Sequence, residues 1–139
     1  MRLEQLARRL EIAGLGTRGQ DLFIHYMPAQ VTVGMVLLPS LAGDPIDWEL
    51  GGGWRNSSHA FQLIARDANI PNGYKRASDA VNALLIQQDT ILPAMDPDIP
   101  ASNVRFIRPN HDIITYPRGP SGYFEFSMNF QAAFSIDPD

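Results

Sequence analysis

The 139-residue sequence contains no cysteine, which excludes disulfide scaffolds, thiolate metal sites and thiol nucleophiles, and fits a cytosolic origin. Long apolar runs are also missing: none approaches the roughly 18 residues of a membrane-spanning helix, so we expect no membrane span. Positive charge is scarce, since eleven basic residues face fifteen acidic ones and the net charge is −4. The chain therefore has no basic excess with which to hold nucleic-acid phosphates.

What is present is typical of a folded protein. Apolar residues make up 45% of the chain and charged residues 19%, a composition that suits a packed core and is too apolar for a disordered tail. The length falls within the roughly 100–200 residues of an average domain, so we predict one domain over residues 1–139. The stretch Met1–Arg9 lacks the apolar run of a signal peptide, and we expect none.

Two segments have the three- and four-residue spacing of apolar side chains that is typical of amphipathic helices. The first spans Leu3–Ala13 and is followed by Gly14, which suits a left-handed C-terminal cap. The second follows Asn72, a candidate N-cap, and covers Tyr74–Gln88. Each helix has one apolar face, so both need a partner surface.

Shorter segments rich in β-branched and aromatic residues predict the strands. These are Asp21–Met27, Val31–Leu38, Ile46–Leu50 (the weakest), Ser58–Arg66, Val104–Arg108, Ile113–Tyr116 and Tyr123–Ile136. The first two are separated by only three residues, a hairpin-like distance. The proline-rich stretch Asp89–Ala101 is predicted as a loop with at most a short strand at Thr90–Leu92. The order α-β-β-(β)-β-α-β-β-β indicates an α+β domain, with two helices packed on one mainly antiparallel mixed sheet.

The final strand has the clearest pattern in the sequence. From Tyr123 to Ile136 apolar and polar positions alternate for fourteen residues, which predicts a strand with one buried face. Strands usually have about 5–6 residues, so we expect this one to extend beyond its sheet or to be bent by a bulge. Unpaired edges on such a strand would favour self-association by strand addition.

The residues that carry enzyme chemistry form no pattern of their own. The three histidines, His25, His59 and His111, show no metal-binding spacing, and we interpret them as surface or half-buried polar residues. The acidic pair Asp96 and Asp98 falls in a proline-rich loop, where solvated carboxylates are the usual case. We therefore expect no catalytic residue, no cofactor and no metal, and favour an interaction protein over an enzyme.

Three blocks of the sequence resemble one family. The first comprises Leu10-Glu11, Gly14-Leu15-Gly16-Thr17, Asp21-Leu22-Phe23-Ile24 and Met27-Pro28; the second is Phe61–Arg66 followed by Tyr74, Ala77 and Leu84; the third is Tyr123–Phe130. Together they resemble the tail terminator and minor capsid proteins of long-tailed, siphovirus-like bacteriophages. The stretches Trp48–Ser58 and Asp96–Pro100 match no part of that pattern.

The resemblance implies a structural function. A tail terminator is a small α+β protein of the virion that caps the finished tail tube as a hexameric ring, ends tail polymerisation and forms the joint to the head connector. It implies further partners and places: the tail tube protein, a head-completion protein, the head–tail neck, and the bacterial cytoplasm during assembly. It implies no chemistry, no cofactor and no membrane, and DNA passes through the ring without sequence-specific binding.

Two segments are candidate contact loops toward tube, connector or neighbouring subunit. Gly51–Ser58 and Asp96–Asn103 are rich in glycine or proline, and two tryptophans flank the glycine run. Large aromatic side chains in such segments either anchor a protein partner or pack in the core. The candidate contact residues are Trp48, Trp54, Arg55, Asp96 and Asp98.

Alternatives remain open at this stage. The nearest is another neck or tail component, such as a tail tube subunit or a head-completion protein. Tube subunits are mostly β-sandwiches with one helix and head-completion proteins are often mainly helical, so the predicted order fits both less well. A small enzyme with an unrecognised site and a peptide-binding module of a host system are the other two.

Overall fold

The computed structural model describes residues 1–39, 46–48, 55–95, 98–116 and 122–136, with only the backbone for 46–48, 55–59 and 136. The helices are α1 (Leu3–Ile12) and α2 (Ile70–Leu84). The strands are β1 (Leu22–Ile24), β2 (Gly34–Pro39), β3 (Ile46–Trp48), β4 (Arg55–Asp67), β5 (Thr90–Leu92), β6 (Ser102–Pro109), β7 (Ile114–Tyr116) and β8 (Phe124–Ile136). The predicted α+β class is confirmed, and the weakly indicated strands β3 and β5 are both present.

The strands form one mixed sheet with the order β1-β2-β4-β8-β6-β5. In addition β3 pairs with β4, and β7 pairs with β8. The two central strands, β4 and β8, have 13 residues each and pair antiparallel from Arg55↔Ile136 to Asp67↔Phe124. Every other pairing is antiparallel as well, except that of β1 with β2.

One face of this sheet forms the core. The alternation predicted for β8 is confirmed by its buried Phe126, Met128, Phe130, Ala132 and Phe134. Phe61 of β4 stacks on Phe130 with the ring centroids 4.9 Å apart. Both helices pack on this face, and α2 approaches it closely at Gly73, where a Cβ atom would overlap the Phe126 ring. Glycine is needed there because any other side chain would push α2 off β8.

The end of α1 follows the prediction. Gly14 has φ +76°, a backbone conformation that residues with a Cβ rarely adopt. The amide of Gly14 donates to the Glu11 carbonyl at 2.9 Å, and that of Leu15 to the Leu10 carbonyl at 3.1 Å. These two bonds form the Schellman arrangement that satisfies the last carbonyls of a helix. The predicted cap is therefore confirmed.

The predicted hairpin of the first two strands is wrong. β1 and β2 are shorter than predicted and pair parallel, from Leu22↔Met35 to Ile24↔Leu37. His25 ends β1 with φ +70°, and residues 25–33 return the chain so that β2 begins beside the start of β1. His25 therefore lies after the strand rather than within it.

The second helix begins earlier than the sequence suggested. Asn69, not Asn72, is the N-cap: its side-chain oxygen accepts a hydrogen bond from the Asn72 amide at 3.0 Å. The proline at position 71 lies in the first turn, where the missing N–H costs nothing. The helix ends at Leu84 rather than Gln88, because Ile86 leaves it to bond both ways with Ile107.

β8 has no free edge, so the predicted strand addition on it is wrong. One edge is paired with β4 throughout, and the other with β7 and then β6. In the gap between them, the Asn129 carbonyl accepts from the Asn110 amide at 2.8 Å. The expected irregularity lies on β6, between Val104 and Phe106, and it lets Val104 and Ile107 both face the core.

Candidate assembly surfaces

The histidines take structural positions. His111 accepts from the Asn129 amide at 3.2 Å and so seals the edge of β8 between β6 and β7. His25 is exposed after β1, and His59 lies in β4, with its side chain outside the description. Across the described ranges no group of three or more His, Cys, Asp or Glu residues is placed to hold a metal ion. The same ranges contain no helix long and apolar enough to cross a membrane.

One end of the sheet collects the candidate contact residues; we call it the hairpin end. Across it runs the paired row Trp48–Arg55–Ile136–Ser102–Leu92, which belongs to β3, β4, β8, β6 and β5. With strands about 4.8 Å apart, the outermost strands β3 and β5 are separated by about 19 Å. Trp48 and Arg55 therefore lie at one side of this row.

The remaining candidates belong to the two connections at this end. Asp98 is exposed in a tight turn closed by two backbone bonds between Met95 and Ile99, of 3.0 and 3.2 Å. Trp54 and Asp96 lie outside the described residues. Both predicted contact loops were drawn too long: residues 55–58 belong to β4, and residues 102–103 belong to β6.

A groove of about 390 Å³ lies at the β5 side of the hairpin end. One wall is α1, through Arg8, Arg9 and Ile12, and the other is the segment Ile91–Met95. Ile12 and Ile91 are 74% and 69% exposed, unusually high values for isoleucine. None of the lining residues is acidic. The groove is thus apolar with positive charge at its side.

The two arginines of the groove are held by different partners. Arg9 donates through Nε to the Ala83 carbonyl at 2.7 Å, so its guanidinium also ties α1 to the end of α2. Arg8 lies on the surface, and its Nη1 is 4.0 Å from the Glu11 carboxylate. Such an exposed ion pair is weak, so Arg8 can rearrange toward an incoming carboxylate.

Gln5 fixes one wall of the groove onto the other. Its side chain is 3% exposed, and its amide group donates to the carbonyls of Leu92, Pro93 and Pro100 at 3.4, 3.1 and 3.1 Å. Its oxygen accepts from the Arg2 amide at 2.9 Å. A buried amide that satisfies several backbone groups holds them in one arrangement. The position of the segment Ile91–Met95 therefore depends on Gln5.

The opposite end of the sheet presents a different surface, which we call the helix-start end. Its paired row is Gly34–Arg66–Glu125–Tyr116. It lies eleven residues along β4 from the hairpin end, or about 36 Å for an extended strand. Exposed large apolar residues near this end are Tyr26, Val33, Ile70, Tyr74, Ile114 and Tyr116.

Arg66 organises the helix-start end. Its Nε lies 3.2 Å from the Glu125 carboxylate, and its Nη1 donates to the carbonyls of Pro28 and Val31 at 3.1 and 3.3 Å. Its guanidinium also covers the Tyr123 ring, 4.6 Å from the centroid. One largely buried cation thus joins the 25–33 connection to the start of β8.

Sequence reasoning missed the groove, although one signal for it was present. Ile12 falls outside the apolar stripe of α1, which indicates an apolar residue facing solvent. Gln5 carried no such signal, because a glutamine between two turns of an amphipathic helix is ordinarily a surface residue.

Comparison with known proteins points to a single family. The sequence profile of a family described as "Bacteriophage tail terminator protein" matches residues 9–136. A search of curated protein sequences found no match. Among solved structures, a chain of the virion of a native gene transfer agent particle is similar in fold, with a TM-score of 0.61 and 12% identity over 94% of this chain and 91% of that one.

Proposed function

Because the chain belongs to the bacteriophage tail terminator family, we propose that it caps the finished tail tube as a hexameric ring and forms the joint to the head connector. The chain is a structural tail protein of the virion, not an enzyme. The observation that carries the proposal is the family match over residues 9–136.

The two ends of the sheet support a capping mechanism. A cap must bind the tube with one surface and present a different surface beyond it, so that no further tube ring is recruited. The helix-start end exposes Tyr26, Tyr74 and Tyr116, whereas the hairpin end carries the acidic, proline-rich and glycine-rich connections. Two surfaces of such different composition suit two different partners, the tail tube protein and the head connector or head-completion protein.

The contact residues belong to the same proposal. Trp48, Trp54, Arg55, Asp96 and Asp98 make contacts with tube, connector or neighbouring subunit. In a ring these contacts are heterologous, and they close by rotation. Residues 1–139 act as one domain, and no cofactor or metal takes part.

The place of action follows from the capping role. The subunits are made in the bacterial cytoplasm and end in the head–tail neck of the virion, away from membranes. DNA passes through the ring without sequence-specific binding. The negative net charge of the chain, −4, is consistent with a passage that does not retain DNA.

Deletion of the gene tests the proposal. We expect overlong tails of irregular length in negative-stain micrographs, with normal length restored by the chain supplied in trans. Normal tails beside unjoined heads would instead identify a head-completion protein, and the absence of any tube would identify a tube subunit. Either result would refute the capping function.

A further inference from the structure

We propose that the groove between α1 and Ile91–Met95 receives the β3–β4 hairpin of the next copy of this chain. The inference rests on the proposed ring and identifies which two surfaces of neighbouring subunits meet. The hairpin comprises β3, the start of β4 and the connection 49–54 between them. The groove is the described surface, and the occupant is a second copy.

The chemistry of the two surfaces is complementary. The groove exposes two isoleucines and carries Arg8 and Arg9, with no acidic residue in its lining. The hairpin has the sequence Asp47-Trp48-Glu49-Leu50-Gly51-Gly52-Gly53-Trp54, which combines two carboxylates with three large apolar residues and no base. Guanidinium groups bind carboxylates and also the faces of indole rings. Each surface thus supplies what the other lacks.

The positions of the two surfaces suit a head-to-tail contact. β3 and β5 are the outermost strands of the same row across the hairpin end, so hairpin and groove lie at one level on its two sides. A neighbour displaced sideways by one subunit therefore meets the groove with its hairpin. Because the two surfaces share a level, the contact repeats without a rise along the axis, which is the condition for a closed ring rather than a helix.

The hairpin cannot fill the groove of its own chain. The outermost strands are separated by about 19 Å across the sheet. The six residues 49–54 must leave the sheet and return, and three fully extended residues reach only about 10 Å. The groove therefore requires an occupant from another subunit.

Cross-linking tests this contact directly, because the chain contains no cysteine. Two variants, Ile12→Cys and Trp54→Cys, are co-expressed in cells that produce the particle, and purified particles are treated with a short bis-maleimide. We expect a covalent dimer from the mixture and none from either variant alone. The control replaces Ile12→Cys by Tyr26→Cys, which is 70% exposed but lies at the other end of the sheet.

The outcomes separate this inference from the proposed function. No dimer in particles that contain both variants, or an equal yield with Tyr26→Cys, would overturn the groove contact. Independently, Ile12→Glu should reduce ring incorporation at least tenfold and give overlong tails, whereas Tyr26→Glu should leave incorporation through this contact unchanged. If Ile12→Glu assembles normally, the groove contact is refuted while the capping function stands; normal tails after gene deletion would refute the capping function itself.

Discussion

Replacing Gln5 by alanine should destabilise the fold far more than a helix-surface substitution. Three of its hydrogen bonds are well formed: 2.9 Å from the Arg2 amide, and 3.1 Å each to the carbonyls of Pro93 and Pro100. A buried hydrogen bond contributes about 1 kcal/mol net, so their loss amounts to about 3 kcal/mol. The 3.4 Å contacts with Leu92 and Ser102 are long and add little.

Urea unfolding at 25 °C measures this change in the free energy of unfolding. The matched control is Gln88→Ala, because Gln88 is exposed and its replacement should change stability by less than about 0.5 kcal/mol. Hydrogen exchange provides a local readout, since the amides of residues 92–100 should lose protection before the rest of the sheet. A loss below about 1 kcal/mol for Gln5→Ala would refute the role assigned to this side chain.

A Gln5→Glu variant sharpens the same test. It keeps the size of the side chain but turns a carboxylate toward carbonyl oxygens, an environment that disfavours the charged form and raises the pKa of the new carboxyl group. A raised folded-state pKa means that the unfolded state releases the proton more readily, so stability falls as the pH rises. The variant should therefore be weaker at pH 8 than at pH 5 relative to wild type, and equal losses at both would contradict the buried position.

Three further substitutions test the fold at other places, each by urea unfolding. Gly73→Ala should cost about 2–3 kcal/mol despite the better helix propensity of alanine, since its Cβ would overlap the Phe126 ring; a neutral effect would show that α2 can shift. Arg66→Ala should cost about 2–3 kcal/mol, because it removes the Glu125 pair and leaves carbonyls of the 25–33 connection without their donor; Glu125→Gln should cost less, and the reverse order would contradict this account. Gly14→Ala should cost about 1 kcal/mol from backbone strain alone, since open space surrounds its Cβ position; no loss would mean that the left-handed cap is absent in solution.

The parts of the fold that the sequence predicted are those determined by local patterns. The apolar stripe and glycine cap of α1, and the alternation of β8, depend on residues close together in the chain. The parallel pairing of β1 and β2 does not, because the path of residues 25–33 is held by Arg66, a residue more than thirty positions away. The neighbours of β8 were unpredictable for the same reason: its edges are covered by β4, β6 and β7.

The candidate surfaces divide in the same way. Composition alone pointed to the segment with Trp48 and Trp54, because two tryptophans beside a glycine run are unusual wherever the chain places them. The groove has no such signature, since Ile12 and Ile91 are 79 positions apart and become neighbours only when α1 crosses the core and Gln5 binds the β5–β6 connection. A convex contact element can be read from a sequence, whereas its concave receptor is a product of the fold.

Gln5 links this receptor to the core in a way that assembly measurements can detect. It belongs to the buried face of α1 and at the same time fixes the segment Ile91–Met95, one wall of the groove. Loosening that wall lowers the fraction of subunits whose groove is preformed, and the apparent affinity of a contact falls with that fraction. Gln5→Ala should therefore impair ring formation under conditions in which the variant is still folded, while Gly14→Ala, which changes α1 away from the groove wall, should not.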